Sequence, residues 1–554
     1  VKFKTNSKFS LEIDNKFNIK NVVLNSDIKI DQLKYKKPEF IQNYFSDINN
    51  FILLENHNLT LNYKKNNLSI TGEGKIQLKN EVDRIKYFIN KTDNDFKINT
   101  ELLIKNINLR KQNFLKTFFP KINEKINLNN QNLKIDYNNG KLSLLGSGNF
   151  KIDKDFEEIN YFFEQKEKKV SFKTNINLKN TSFIIDSINY KKKDKNEMDL
   201  KIKGEIVDNK NVNIDYFTIY EENNKIEIIN LILNNSNQIK KMDQASFNYI
   251  DTENKKNNYI INKANKHNYI IDGSFFNANG LISNLLKSGN KKENNFFENK
   301  ININLNLNKV YIDKINFVNE LKGKLNIKNN RAHDGEIVAF FDNSQKIKFT
   351  IKTTDQGEKI TTLFSSKSKP LVDRYKFIKG FKDGKDGYLD FYSSKKNGVS
   401  SSKLVIDNFK VKEIPALAKL LALASLQGIA DLLTGEGIRF TDFEMKFTND
   451  NKLMRIQELY AIGPAISILL EGYIEEDKLI SLRGTLVPAT TINRSIASIP
   501  LLGDLLIGKK VGDGVFGVSF KIKGPPKDLE TTVNPIKTLT PRFITRTLEK
   551  IKKN

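Results

Sequence analysis

Leu68-Ser-Ile70-Thr-Gly72-Glu-Gly74-Lys-Ile76-Gln-Leu78 decides the fold: every even position is apolar or glycine, and every odd position is polar. Successive side chains of a strand point to opposite faces, so this text loads one face with hydrocarbon and leaves the other to water. The same alternation runs from Phe96 to Ile104, Val170 to Leu178, Met198 to Ile206 and Ile301 to Leu307, with Asn-, Lys-, Asp- and Gly-rich turns between. The mid-strand glycines predict a bulge or sharp bend, where a flat sheet is made to curl.

The segment belongs to a repeat. Leu59 to Phe88 aligns without gaps on Leu133 to Phe162, an offset of 74 residues. Tyr63, Leu68, Gly72, Gly74, Ile85, Tyr87 and Phe88 fall on Tyr137, Leu142, Gly146, Gly148, Ile159, Tyr161 and Phe162. A weaker third copy runs through Leu200-Lys-Ile202-Lys-Gly204. The unit is longer than a standard solenoid repeat and reads as a few meandering strands.

Composition narrows the class. The chain has 554 residues, of which 38% are hydrophobic, with a mean hydropathy of −0.49. That is thin for several two-layer cores and ample for one amphipathic surface used many times. No stretch of about 18 apolar residues predicts a membrane-spanning helix. With no cysteine there is no disulfide framework and no thiolate chemistry. The net charge of +26 comes almost wholly from lysines scattered among Asn and Ile, and only Arg84 and Arg110 precede residue 331. Nucleic-acid sites favour the bidentate arginine fork, so no nucleic-acid partner is expected. The text opens on Val1 directly into strand-like sequence, without the apolar core of a signal peptide, which predicts the downstream piece of a longer chain.

Three regions follow: a repetitive strand region 1–330, further strands over 331–400, and a distinct region 401–554. The texture changes towards the C-terminus: nine of the eleven prolines lie from Pro370 onward and eight of the ten arginines from Arg331 onward. Residues 414–433 read as an apolar helix with Pro415 in its first turn. Strands are expected at Phe443 to Phe447, Ala465 to Ile474, Leu479 to Leu486 and Phe516 to Ile522. Residues 492–507 form a second apolar segment, and the tail from Phe543 reads as a short basic amphipathic helix.

The motifs that carry chemistry are weak. Gly503 to Lys509 has phosphate-loop spacing, but Lys510 stands where Ser or Thr would hold Mg²⁺, and no buried strand precedes it. Gly512-Asp-Gly514-Val-Phe-Gly517 runs into a strand where a dinucleotide fingerprint must open a helix. His57, His267 and His333 sit far apart in turn-like text and read as surface residues, and Glu81/Asp83 and Glu475/Glu476 read as solvated turn charges. No nucleophile is paired with a base, so neither an enzyme nor a cofactor or metal is expected.

The residues alone leave two architectures open. One is a series of β-sandwiches. The other is a long curled antiparallel sheet, an open groove, with a few short helices in the C-terminal region. A resemblance bears on the choice. The blocks Val405-Ile-Asp-Asn-Phe409, Leu-Thr-Gly435-Glu-Gly437-Ile-Arg-Phe440, Gly484-Thr-Leu-Val-Pro488, Ile492-Asn493, Ile499-Pro500-Leu-Leu-Gly503-Asp, Gly514-Val-Phe516, Gly524-Pro525, Val533-Asn534-Pro535 and Leu539-Thr-Pro541 occur in order. They resemble the AsmA-like C-terminal region found in the YhdP branch of the AsmA/TamB family, with Arg542 where that family has Gly. The first 400 residues resemble the family in style only.

That resemblance implies a non-enzymatic envelope protein of diderm bacteria. It would be held in the inner membrane by an N-terminal segment absent from this chain, with a periplasmic groove passing phospholipids towards the outer membrane. Its partners would be phospholipids, the two membranes and other envelope proteins. The groove-lining candidates are Leu68, Ile70, Ile76, Leu78, Leu142, Leu144, Phe150, Ile152, Leu200, Ile202, Phe516, Val518, Phe520 and Ile522. Leu417, Leu420, Leu421, Leu423, Leu501, Leu502, Leu505 and Leu506 would contact a membrane or cap the groove. The alternative is a secreted or surface β-sandwich structural protein without lipid.

Overall fold

Alternating text, turn residues every ten to fifteen positions and a scarcity of helix formers give long strands joined by tight turns. In the computed structural model the chain is mostly β. It describes residues 2–488 and 518–534, less residues 46, 209–210, 288–296, 298–299, 329–330, 343, 376–379, 413–414, 424–434, 451, 477 and 527. The predicted strands are present and mostly longer than their alternation alone indicated: Phe96–Arg110, Lys169–Leu178, Met198–Val207, Ile301–Tyr311, Ile438–Asn449, Ile466–Glu475, Leu479–Pro488 and Val518–Gly524.

The chain divides into two compact units, Val1–Leu281 with Glu293–Asn299, and Ile282–Lys292 with Lys300–Asn554. Each contains a meander in which a strand pairs antiparallel with the next long strand in sequence. In the first unit this runs from Lys2–Ile13 and Ile19–Lys36 to Lys256–Lys263 and Asn268–Asn277. In the second it runs from Ile301–Tyr311 to Glu530–Asn534. The short strands Ile239–Lys241 and Lys382–Asp383 add to Asn224–Leu233 and Val399–Val411, and the two-residue hairpin Ile184–Ile185 with Tyr190–Lys191 forms a sheet of its own.

The repeat proves to be four strands long. Phe51–Lys64, Asn67–Gln77, Val82–Lys91 and Phe96–Arg110 are matched by Lys125–Asn138, Lys141–Lys151, Phe156–Lys166 and Lys169–Leu178. The expected bulge is real and lies on the strand facing the glycines. Register slips between Glu55 and Asn58, and again between Asn129 and Asn132. Asn56 and Asn130 take the left-handed φ values of 51° and 50° that such an insertion requires.

The helices are Glu39–Tyr44, Asn279–Lys287, Lys369–Tyr375 and Pro415–Leu423. Their confinement to the C-terminal region was therefore wrong: two lie in the first 290 residues, where they end strands rather than mark a separate region. Of the predicted helix 414–433, Pro415–Leu423 is helical and residues 424–434 lie outside the described residues, as do 492–507 and the tail from Phe543.

Candidate functional site

Register converts the alternation into rows that cross the sheet. In the first unit Ile28, Leu59, Gly72, Tyr87, Thr100, Ile135, Leu144, Phe163, Phe172, Gly204, Ile214 and Leu231 are successive cross-strand partners. A parallel row runs Leu61, Ile70, Ile89, Ile98, Tyr137, Leu142. In the second unit the row is Leu305, Gly323, Ile337, Phe349, Leu363, Phe391, Leu404, Met445, Leu459, Leu470, Gly484, Phe520, Val533. One side of each meander is thus an apolar band running across its strands. The intervening rows are polar and carry cross-strand ion pairs such as Lys86–Glu73 at 3.2 Å and Lys134–Glu101 at 3.4 Å. A hollow of about 1080 Å³ on the first unit is lined chiefly by these polar rows, including Lys29, Glu73, Lys86 and Asp136.

The apolar band is not uniformly covered. Ile76, Leu78, Ile104, Leu133, Phe150, Ile152, Leu178, Met198, Leu200, Ile219 and Ile226 are buried. Most lie at one end of their strands, the same edge of the sheet because consecutive strands alternate in direction. Towards the other edge Leu68, Ile70, Ile89, Ile98, Leu144, Val170 and Ile206 are half-buried, and Leu142 is exposed.

The covered edge is made by connecting segments. Ile41 and Phe45, in and just after Glu39–Tyr44, pack with Ile48 on Ile76, Leu78, Ile104, Ile107 and Leu133. Further along, a chain of rings runs Phe119, Phe183, Tyr190, Tyr249 at centroid spacings of 5.4, 6.5 and 5.8 Å. Two buried carboxylates pin the segment 179–193. Glu157 accepts the backbone N–H groups of Lys179, Asn180 and Thr181 at 2.7, 2.8 and 2.6 Å. Glu221 accepts from the Tyr190 hydroxyl at 2.8 Å, the Lys193 N–H at 2.7 Å and Asn224 at 3.0 Å. Burial pushes the Lys192 ammonium pKa down, and Lys192 donates to the Lys179 and Lys193 carbonyls. A buried charge is tolerable only with such full hydrogen bonding.

In the second unit Leu417, Leu420 and Leu421 of Pro415–Leu423 are buried with Val372, Phe381, Ile406, Phe409, Ile438 and Phe440. The protein's own core encloses these three side chains. The Leu423 side chain lies outside the described residues, as do Leu501, Leu502, Leu505, Leu506 and Phe516, together with Gly503 to Lys510 and Gly512 to Gly517. No described helix is long and apolar enough to cross a membrane.

The predicted lining residues separate into two groups. Leu68, Ile70, Leu144 and Ile202 lie half-buried on the band, with Leu142 exposed at its rim. Ile76, Leu78, Phe150, Ile152 and Leu200 are buried on the covered edge, the first two in the cluster with Ile41, Phe45 and Ile48. Val518, Phe520 and Ile522 are also buried, the last two within the C-terminal core.

The sequence reading missed the polar side chains set into the band. His57, expected at the surface, is buried, because the bulge at Asn56 turns its ring onto Gly74. It stacks on Tyr87 at 5.9 Å and bonds the Lys75 carbonyl through Nε2 at 2.9 Å. Gln131 is its counterpart in the next repeat, lying on Gly148 and accepting from the Tyr161 hydroxyl at 2.9 Å. Burial pushes the Tyr161 phenol up to about 12. The paired repeat positions Tyr87 and Tyr161 carried the signal; His57 lay just outside the aligned window. Asp83, expected as a solvated turn charge, is buried and accepts the Lys105 N–H at 2.9 Å.

No protein-family model matches this chain, and no curated protein matches it.

Proposed function

We propose that the chain carries phospholipids, their acyl chains lying along the apolar band of each meander and their headgroups in solvent. The observation behind this reading is the in-register apolar rows, whose middle and outer positions are half-buried while no second broad sheet is present among the described residues. Half-covered hydrocarbon on this scale marks a ligand or partner surface. Moving a phospholipid through water exposes its tails at about 0.8 kcal/mol per CH₂, and an apolar trough removes most of that cost. The route needs no hydrolysis, so the chemistry falls to shape and polarity alone.

The ordered motifs from Val405 to Pro541 support placing this activity in the envelope of a diderm bacterium, between inner and outer membrane, as in the AsmA-like proteins they resemble. In that setting each meander has its own floor, the edge covered by Glu39–Tyr44 and residues 179–193 in the first unit and by Pro415–Leu423 in the second, and lipid enters sideways at the opposite edge of each. A ligand-free structural protein is the second reading, favoured by the extent to which the chain covers its own edge. Mass spectrometry of organic extracts from the purified chain separates the two: co-purified phospholipid at stoichiometric or higher ratio is expected, and its absence overturns the lipid reading.

A further inference from the structure

The side of the first unit's sheet away from the apolar band is not flat. Its hollow of about 1080 Å³ crosses seven consecutive strands, from Lys2–Ile13 to Lys125–Asn138. At about 4.8 Å per inter-strand step this makes a trough roughly 29 Å long. Thr71 and Glu73 line it and alternate along their strand with Ile70, Gly72 and Gly74 of the band, so the two surfaces lie on opposite sides.

The charges of the trough cancel. Lys4, Lys29, Lys86 and Lys134 line it with an equal number of carboxylates, in a chain whose net charge is +26. Glu73 pairs with Lys86 at 3.2 Å and Glu101 with Lys134 at 3.4 Å. Asp27 accepts from the Thr60 hydroxyl at 3.0 Å, and Asp136 from the Asn99 amide at 2.5 Å. A charged polymer laid here would meet as much repulsion as attraction. A neutral ligand rich in hydroxyls would not, because a hydroxyl donates to carboxylates and accepts from ammonium groups alike.

Within the trough Phe88 is 39% exposed, with Thr71 and Asn99 as its direct cross-strand partners. An aromatic face flanked by a hydroxyl and an amide matches a sugar ring, whose C–H face is apolar and whose edge is polar. The fold itself does not ask for this lining. At the aligned positions of the second repeat Thr60, Thr71, Glu73 and Lys86 give way to Lys134, Leu145, Ser147 and Asn160, while the four strands are kept and Phe88 keeps its ring in Phe162.

We propose that this trough binds an unbranched neutral polysaccharide, with one sugar ring stacked on Phe88 and its hydroxyls on Thr71 and Asn99. The assignment does not rest on the lipid reading. The two surfaces lie back to back, and the failure of one leaves the other standing.

The test is calorimetric titration of the full chain with maltohexaose, cellohexaose and chitohexaose as neutral probes, and hexagalacturonate as an anionic one of the same length. At least one neutral probe is expected to bind with a dissociation constant of about 1 mM or tighter. Phe88→Ala and Thr71→Leu are each expected to weaken it about tenfold, the scale of one stacking contact or hydrogen bond, while melting like the parent. Absence of binding by all three neutral probes overturns the proposal, and so does hexagalacturonate binding as tightly as the best of them. Parental affinity in either variant overturns the placement on Phe88 and Thr71. Should Phe88→Ala melt lower than the parent, Thr71→Leu decides, because the second repeat already carries Leu145 at that position.

Discussion

Tyr87 lies across Gly72, its cross-strand partner, so closely that a Cβ on the glycine would fall 2.5 Å from the ring. Tyr161 covers Gly146 in the same way one repeat later. The second glycine of each pair receives the bulge residue, His57 or Gln131. Alternation alone would have accepted alanine at these positions; the ring above them does not.

Alanine substitutions should therefore be graded. At Gly72 the obstacle is the far end of the Tyr87 side chain, which can swing aside. At Gly148 the added carbon also meets the Asn130 carbonyl at 2.8 Å, fixed by the bulge. Gly148→Ala is expected to cost about 2–3 kcal/mol and Gly72→Ala nearer 1, read from denaturant midpoints. Equal costs would mean that the bulge is not rigid.

Exchanging the two bulge residues tests whether the repeats are equivalent. His57→Gln installs the side chain that the second repeat uses and should change stability by less than about 1 kcal/mol. Tyr161→Phe leaves the buried Gln131 carbonyl oxygen without its donor and should cost about 1–3 kcal/mol. A tolerated Tyr161→Phe with a damaging His57→Gln would show that the two sites are built differently.

Charges placed on the band should separate binding from folding. Ile70→Asp and Ile98→Asp lie on half-buried positions, and are expected to at least halve the co-purified lipid per chain while the protein remains folded. Ile76→Asp buries an unpaired carboxylate beneath Ile41 and Phe45 and should unfold that edge. Unchanged lipid content in both Ile70→Asp and Ile98→Asp would remove the band from the transport path.

Asp83 gives a pH test. Burial raises its pKa above the ordinary carboxylate value of 3.8, so the folded state favours the protonated form. Its contribution to stability is therefore full below about pH 4 and is lost as pH rises through the raised value. Asp83→Asn keeps an oxygen for the Lys105 N–H and does not titrate. The variant should be at least as stable as the parent at pH 7, with the difference shrinking towards pH 4. A difference that grows on acidification would contradict the sign of the shift.

The strands were legible because the period-two pattern is long and their turns are rich in Asn, Lys and Gly. Phe96, Lys169, Met198 and Leu479 each begin an observed strand within one residue of the expected start. Which apolar positions stay open was not legible. Leu68 and Ile76 look alike in sequence, and they differ because a helix thirty residues upstream, Glu39–Tyr44, belongs to a cluster over one and not the other. His57 was misread for a related reason: a single inserted residue reverses the face of everything beyond it.

A module of four strands has an arithmetic of its own. An even number of reversals returns the chain to the margin it left, with the same side greasy and the same turn chemistry ahead. Duplicating the 74-residue block would thus lengthen the protein by about 19 Å, four inter-strand steps, without any new packing problem to solve. Reach, in a molecule of this design, is a matter of copy number.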